Sequence, residues 1–130
     1  IWSGILFPVA KAASLKASEI TYIPSLYFYN GELKHWPLAL VDDTTLVVAL
    51  DANTNTVSEI ISRNGNVILL TDSEDCHLQS KVLKIKLPKV HKDLKPIIYT
   101  LPLQLLSYYI AYKNEKNVDR PRNLAKSVTV

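Results

Sequence analysis

The chain has 130 residues and a net charge of +3 spread over scattered lysines, so it has room for one domain and one sizeable core. It has no concentrated basic face of the kind that nucleic acid or an anionic membrane would need. Hydrophobic residues make up 48% and charged residues 21%, the balance of a globular protein, and no apolar run approaches the roughly 20 residues that span a bilayer. A single cysteine, Cys76, rules out an intrachain disulfide and points to a reducing, cytoplasmic setting.

A first helix is predicted from Pro8 to about Ile20, with proline in the opening turn and Val9, Ala10, Ala13, Ala17 and Ile20 at helical spacings. An aromatic connector containing Pro24 follows over 22–30, and a second, short helix is expected over 32–40, started or interrupted by Pro37. Three strand-length runs come next, over 45–50, 66–71 and 82–87. The first two lack polar alternation, as strands covered on both faces of a parallel sheet do. The third alternates, with Lys84 and Lys86 on one face, and suits a sheet edge. Between the first two strands, 54–63 reads as a crossover helix capped by Thr54 or Thr56 and ended by Asn64-Gly65. This strand–helix–strand rhythm predicts right-handed parallel pairing. A long last helix is predicted over 96–113, with Ile97, Ile98, Leu101, Leu105, Tyr108 and Tyr109 as its apolar face and a kink at Pro102. Beyond Asn114 the chain is polar up to Arg122-Asn123.

The opening Ile1-Trp2-Ser3-Gly4 is too short for a strand, yet doubly wound folds ordinarily begin with one. The expected architecture is therefore an α/β, three-layer sandwich, a parallel sheet flanked by helices and truncated at its first strand. Cys76, His77 and His91 lack metal-ligand spacing, and three glycines make no phosphate loop, so neither a metal nor a cofactor is expected.

Lys16 and Glu19, three residues apart, fall on one helical face. By spacing alone they suit an exposed ion pair, worth at most about 1 kcal/mol. A lysine near the end of a chain, as Lys126 is, ordinarily reads as a solvated charge, and a lone histidine such as His35 as structural.

Three stretches change that weighting: 31–40 (Gly-Glu-Leu-Lys-His-Trp-Pro-Leu-Ala-Leu), 99–106 (Tyr-Thr-Leu-Pro-Leu-Gln-Leu-Leu) and 118–130 (Val-Asp-Arg-Pro-Arg-Asn-Leu-Ala-Lys-Ser-Val-Thr-Val). In order, they resemble the carboxy-terminal half of the isomerase domain in the glutamine–fructose-6-phosphate aminotransferase (glucosamine-6-phosphate synthase) family. The 118–130 stretch is the specific part, because other sugar isomerase domains do not share it. The resemblance implies a second SIS (sugar isomerase) subdomain over 1–116 and a tail over 117–130 that contributes to the active site. That family makes glucosamine 6-phosphate from fructose 6-phosphate and ammonia released from glutamine by a separate glutaminase domain.

The roles implied fall on Lys126, which matches the lysine that forms a Schiff base with the open-chain ketose, and on Glu19, which matches the carboxylate that moves the C1–C2 proton. A lysine amine and a carboxylate suit those tasks when their pKa values are suitably placed. Lys16 matches a lysine of the same active-site helix. His35 matches the histidine of ring opening, donated across a homodimer by the neighbouring subunit. Ala125 matches a position whose backbone touches the sugar, while Arg122 and Asn123 are suited to pin the tail in place. Trp36 stands where the family has glycine, 24–29 is more aromatic than its counterpart, and Ala12 and Ser18 replace charged residues. The Ser/Thr-rich loops that hold the sugar phosphate belong to the first SIS subdomain and have no counterpart here. The fragment is thus expected to be a poor catalyst without that subdomain and the glutaminase domain, since binding of the remote phosphate positions the reacting centre. The alternative is a non-catalytic SIS module that binds a sugar phosphate or a partner protein.

Overall fold

A computed structural model describes residues 1, 4–74, 81–122 and 124. Among them, three strands form one parallel sheet in the order β1 (Leu46–Leu50), β2 (Asn66–Thr71), β3 (Val82–Lys86). Val47 pairs with Val67 across the first interface, and Val67 with Val82 across the second. The apolar β-branched runs become strands because both faces are covered. Helices α1 (Phe7–Thr21) and α3 (Lys95–Lys113) lie together on one side and α2 (Thr54–Ile61) on the other, giving three layers. Leu50, Leu70 and Leu87 meet Leu6, Val9, Ala10, Tyr99 and Leu103 on the α1/α3 side. Ala49, Val67 and Leu69 meet Val57, Ile60, Leu33 and Leu38 on the α2 side. The sheet is bilaminar-packed, as the sequence requires, and β3 is the edge strand expected.

β1 forms the other edge, and Ile1 reaches it. The Ile1 backbone nitrogen donates to the Val48 carbonyl at 2.8 Å, and the Leu50 N–H donates to the Ile1 carbonyl at 2.7 Å. These two bonds straddle Ala49 and make a single parallel bridge between Ile1 and Ala49. Below it a groove of about 570 Å3 runs along the same edge, with Ile1, Ala13, Ala17, Val47, Leu106 and Ile110 in its wall.

Three expectations need correction. The second helix over 32–40 is absent. The chain there is a series of turns (Glu32 N–H to Tyr29 carbonyl, His35 N–H to Glu32 carbonyl) that ends in one 3-10 helix, Pro37–Leu40. Pro37 has no N–H to continue a helical ladder and so sits where the 3-10 turn begins. The cap of α2 is Asn53, whose side-chain oxygen accepts the Thr56 N–H at 2.9 Å, in place of either threonine. The buried stripe of α3 is Tyr99, Leu103, Ser107 and Ala111, whereas Ile97, Leu101, Leu105, Tyr108 and Tyr109 are exposed. The helix is apolar nearly all round, and small side chains at 107 and 111 let α1 approach, which decides the face. As expected, Ile1 lies in no strand, although its backbone bonds to the β1 edge.

One glycine is demanded by space. A Cβ on Gly65 would stand 2.6 Å from Val41 Cγ1 and 2.8 Å from Ile60 Cγ2, just after Asn64 takes the left-handed φ of 65° that ends α2.

Candidate active site

α1 carries the first two residues expected at the site. Lys16 Nζ lies 2.7 Å from Glu19 Oε2, the i, i+3 pair the spacing requires, with Glu19 27% exposed. The segment after α1 is tied back along it by hydroxyls. The Ser14 hydroxyl donates to the Ser25 carbonyl at 2.6 Å, and the Ser25 N–H donates to the Ser18 hydroxyl at 3.0 Å. The Thr21 hydroxyl closes the last turn on the Ala17 carbonyl and also accepts the Ile23 N–H. Ser18, a departure from the resembling family, thus has a structural task here.

Tyr22 ends α1 with φ 63°, a left-handed cap whose N–H reaches the Ser18 carbonyl. Its ring and hydroxyl face the segment after α3. The Tyr22 hydroxyl accepts the Arg122 N–H at 2.9 Å, and the Arg122 guanidinium stacks 4.2 Å above the Tyr22 ring centre. The Lys116 ammonium lies 5.8 Å from the same centre. Upstream, the Asn117 side chain accepts the N–H groups of Asp119 and Arg120, both at 3.0 Å, which turns the chain toward Tyr22. Sequence reasoning gave Arg122 a pinning role and missed Tyr22, its partner. Lys126 and Ala125 lie outside the described residues, as does Asn123.

His35 is exposed on a turn, and among the described residues its side chain shares no hydrogen bond or ion pair with Lys16 or Glu19. Trp36 beside it has φ −76° and ψ −25°, an ordinary right-handed backbone, so tryptophan is accommodated there without strain. Trp36 is 61% exposed and meets Phe28 edge to face at 5.4 Å.

A second polar cluster closes the carboxyl ends of β1 and β2. Lys95 Nζ lies 2.7 Å from Asp51 Oδ2 and 3.1 Å from Asp72, and the Thr71 hydroxyl donates to Asp51 Oδ1 at 3.0 Å. Burial pulls the Lys95 pKa down, but the two carboxylates outweigh it and hold the ammonium above the ordinary lysine value. Tyr99 lies beneath, its hydroxyl buried close to Asp51 and Asp72. Burial first, then the charge of Asp51 and Asp72, pushes its phenol well above the usual tyrosine range. The cluster joins residues 44 positions apart, which no local pattern could announce. Among the described residues, no group of His, Cys, Asp and Glu side chains is placed to hold a metal ion, and no helix is long and apolar enough to cross a membrane.

The SIS domain model matches residues 3–113, most of the chain. The chain belongs to the SIS domain family. Within it, this SIS chain is 43% identical over 135 residues to the glutamine–fructose-6-phosphate aminotransferase [isomerizing] of Haemophilus influenzae, with 98% of the chain and 22% of that protein covered. It is 44% identical over 137 residues to the enzyme of the same name from Pyrococcus horikoshii, with the whole chain and 23% of the relative covered. Among solved structures, the C-terminal domain of glucosamine-fructose-6-phosphate aminotransferase from Francisella tularensis superposes with a TM-score of 0.84 at 34% identity, over 92% of this chain and 37% of that one. The SIS chain therefore spans between a fifth and a quarter of the length of these curated relatives.

Proposed function

We propose that this chain is the carboxy-terminal part of an isomerase domain that converts fructose 6-phosphate and ammonia to glucosamine 6-phosphate, with the ammonia drawn from glutamine by a glutaminase domain. The observation that carries this reading is the Lys16–Glu19 pair on α1 of a chain whose SIS relatives bear the aminotransferase name. Residues 1–116 form the second SIS subdomain, and 117–130 form the tail.

Lys126 is the nucleophile. Its neutral amine adds to the C2 ketone of the open-chain sugar, water leaves, and the Schiff base becomes the electrophile that ammonia attacks as the lysine departs. In the imine that results, a proton must come off C1 and arrive at C2. Glu19 carries it, and Lys16, 2.7 Å away, holds that carboxylate in place. His35 opens the ring from the neighbouring subunit of a homodimer, a reading supported by its exposure on a turn. Ala125 meets the sugar through its backbone. The phosphate is held by the first SIS subdomain, and the enzyme works in the cytoplasm.

A second reading, a non-catalytic SIS module that binds a sugar phosphate or a protein, is favoured by the exposed Trp36, which stacks edge to face on half-buried Phe28 next to His35. Borohydride reduction in the presence of fructose 6-phosphate, followed by peptide mass spectrometry, separates the two. A reduced sugar adduct on Lys126 is the expected result. A folded sample with the phosphate-binding half present and no adduct would turn the assignment to the binding module.

A further inference from the structure

Lys34, His35 and Trp36 are exposed residues in a row, and the chain on either side of them is anchored. Leu33 and Leu38, 2% and 6% exposed, are both sunk in the core on the α2 side. The Leu38 N–H donates to the Leu33 carbonyl at 3.2 Å and closes the base of the loop between them. The His35 N–H donates to the Glu32 carbonyl at 3.1 Å, so the histidine stands on a loop with a fixed base. What holds that loop in turn is α2. The buried Thr56 hydroxyl donates to Asn30 Oδ1 at 2.7 Å, and Lys34 Nζ, next to His35, pairs with Glu59 Oε1 at 3.0 Å. The other carboxylate oxygen, Glu59 Oε2, is buried, so the side chain lies against the protein and does not swing in solvent. Thr56 and Glu59 are three residues apart and share one helical face, beside the Val57 and Ile60 that meet Leu33. Thr56 is itself fixed by Asn53, whose side chain accepts its N–H at 2.9 Å.

We propose that Thr56 and Glu59 are positioning residues for His35: from α2 they hold the loop that carries the histidine and so set where its imidazole meets the sugar. This rests on the reading of His35 given above. In ring opening the C2–O5 bond breaks, the C2 hydroxyl gives up a proton and O5 takes one up. The group that moves those protons must stand close to both oxygens. A displacement of about 1 Å at such a centre can cost about 10²-fold in rate. An exposed side chain takes its position from the backbone that carries it, and here that backbone is tied to a helix.

The experiment uses the protein with whatever segment its gene supplies ahead of Ile1 and compares two sugars in the presence of ammonia, fructose 6-phosphate and its 5-deoxy analogue. The analogue has no O5, cannot close the furanose ring and needs no histidine to open it. Glu59→Gln keeps the size of the side chain and loses its charge, and Thr56→Val keeps the shape and loses the hydroxyl. Hydrogen exchange at the His35 amide should quicken by up to about fivefold in Glu59→Gln, the worth of an exposed ion pair. In Thr56→Val it should quicken on the order of tenfold, the worth of a hydrogen bond. Turnover of fructose 6-phosphate should fall about tenfold in either variant while turnover of the analogue stays unchanged, a split that a general loosening of the fold does not produce. Exchanging the charges, Lys34→Glu with Glu59→Lys, should recover most of the loss. Glu59→Gln should melt close to the unaltered protein, because an exposed pair adds little to stability, and it carries the test should Thr56→Val fail to fold. His35→Ala is the reference and should show the same split more steeply. Unchanged His35 exchange in Glu59→Gln, or equal losses on the two sugars, overturns the positioning role. His35→Ala that slows both sugars alike, or neither, overturns the ring-opening reading itself and leaves α2 a structural mount, and so does an unaltered protein that turns over neither sugar.

Discussion

Glu19 sits near the end of a helix with its carboxylate drawn to Lys16 and about a quarter of its surface open to solvent. That placement suits a group which must exchange a proton with a substrate and still be held in one rotamer. Replacing it with glutamine keeps the size and an oxygen for Lys16 but removes the proton acceptor. Exchange of the C1 hydrogen with solvent should fall by about 10²–10⁴-fold in Glu19→Gln, whereas borohydride should still trap the sugar on Lys126. Proton exchange at the original rate in that variant would take Glu19 out of the reaction. The pair at 16 and 19 was legible in the sequence as geometry, because helical spacing alone puts the two on one face. Its chemistry was legible only through the resemblance. Tyr22 was not legible at all, because its partner lies 100 positions away and a capping tyrosine looks like any aromatic residue after a helix.

The elements were legible wherever the chain commits to one environment. The runs at 45–50 and 66–71 became strands because continuous apolar, β-branched sequence leaves no solvent face. The 32–40 segment carried helical residues, but Pro37 cannot donate within a ladder, and the turns ahead of it satisfy their own carbonyls. On α3 the period was visible and the face was not, since apolar side chains surround the helix and only the docking of α1 selects the small ones. What ties these elements at one end of the sheet is Lys95, which bridges the ends of β1 and β2 from the first turn of α3. Lys95→Met would leave two carboxylates facing each other and should lower stability by about 1–2 kcal/mol in chemical denaturation, the partial exposure of all three groups keeping the figure modest. Because the folded pKa of Lys95 is raised, its contribution is complete below the unfolded lysine value of about 10.4 and is lost as pH climbs through the folded one. The variant and the original should therefore converge in strongly alkaline solution. Equal denaturation midpoints at neutral pH would mean that the cluster holds nothing.

At the scale of the molecule, His35 lies on an exposed turn and, among the described residues, shares no hydrogen bond or ion pair with Lys16 or Glu19, and under the proposed function one chain is an incomplete site. Sedimentation at rising concentration should show a dimer. A sample that stays monomeric at high concentration would remove His35 from the reaction. The layer that carries the site is built from the first helix and the last, packed on each other across nearly the whole length of the chain. Closing a loop that long costs entropy before any contact repays it. During synthesis, then, α1 leaves the ribosome well before α3 and lacks that half of its packing until α3 follows, so the Glu19 helix settles only after the sheet between them has been made. A premature stop anywhere before α3 would leave that helix without its neighbour in the layer, however complete the sheet beneath it.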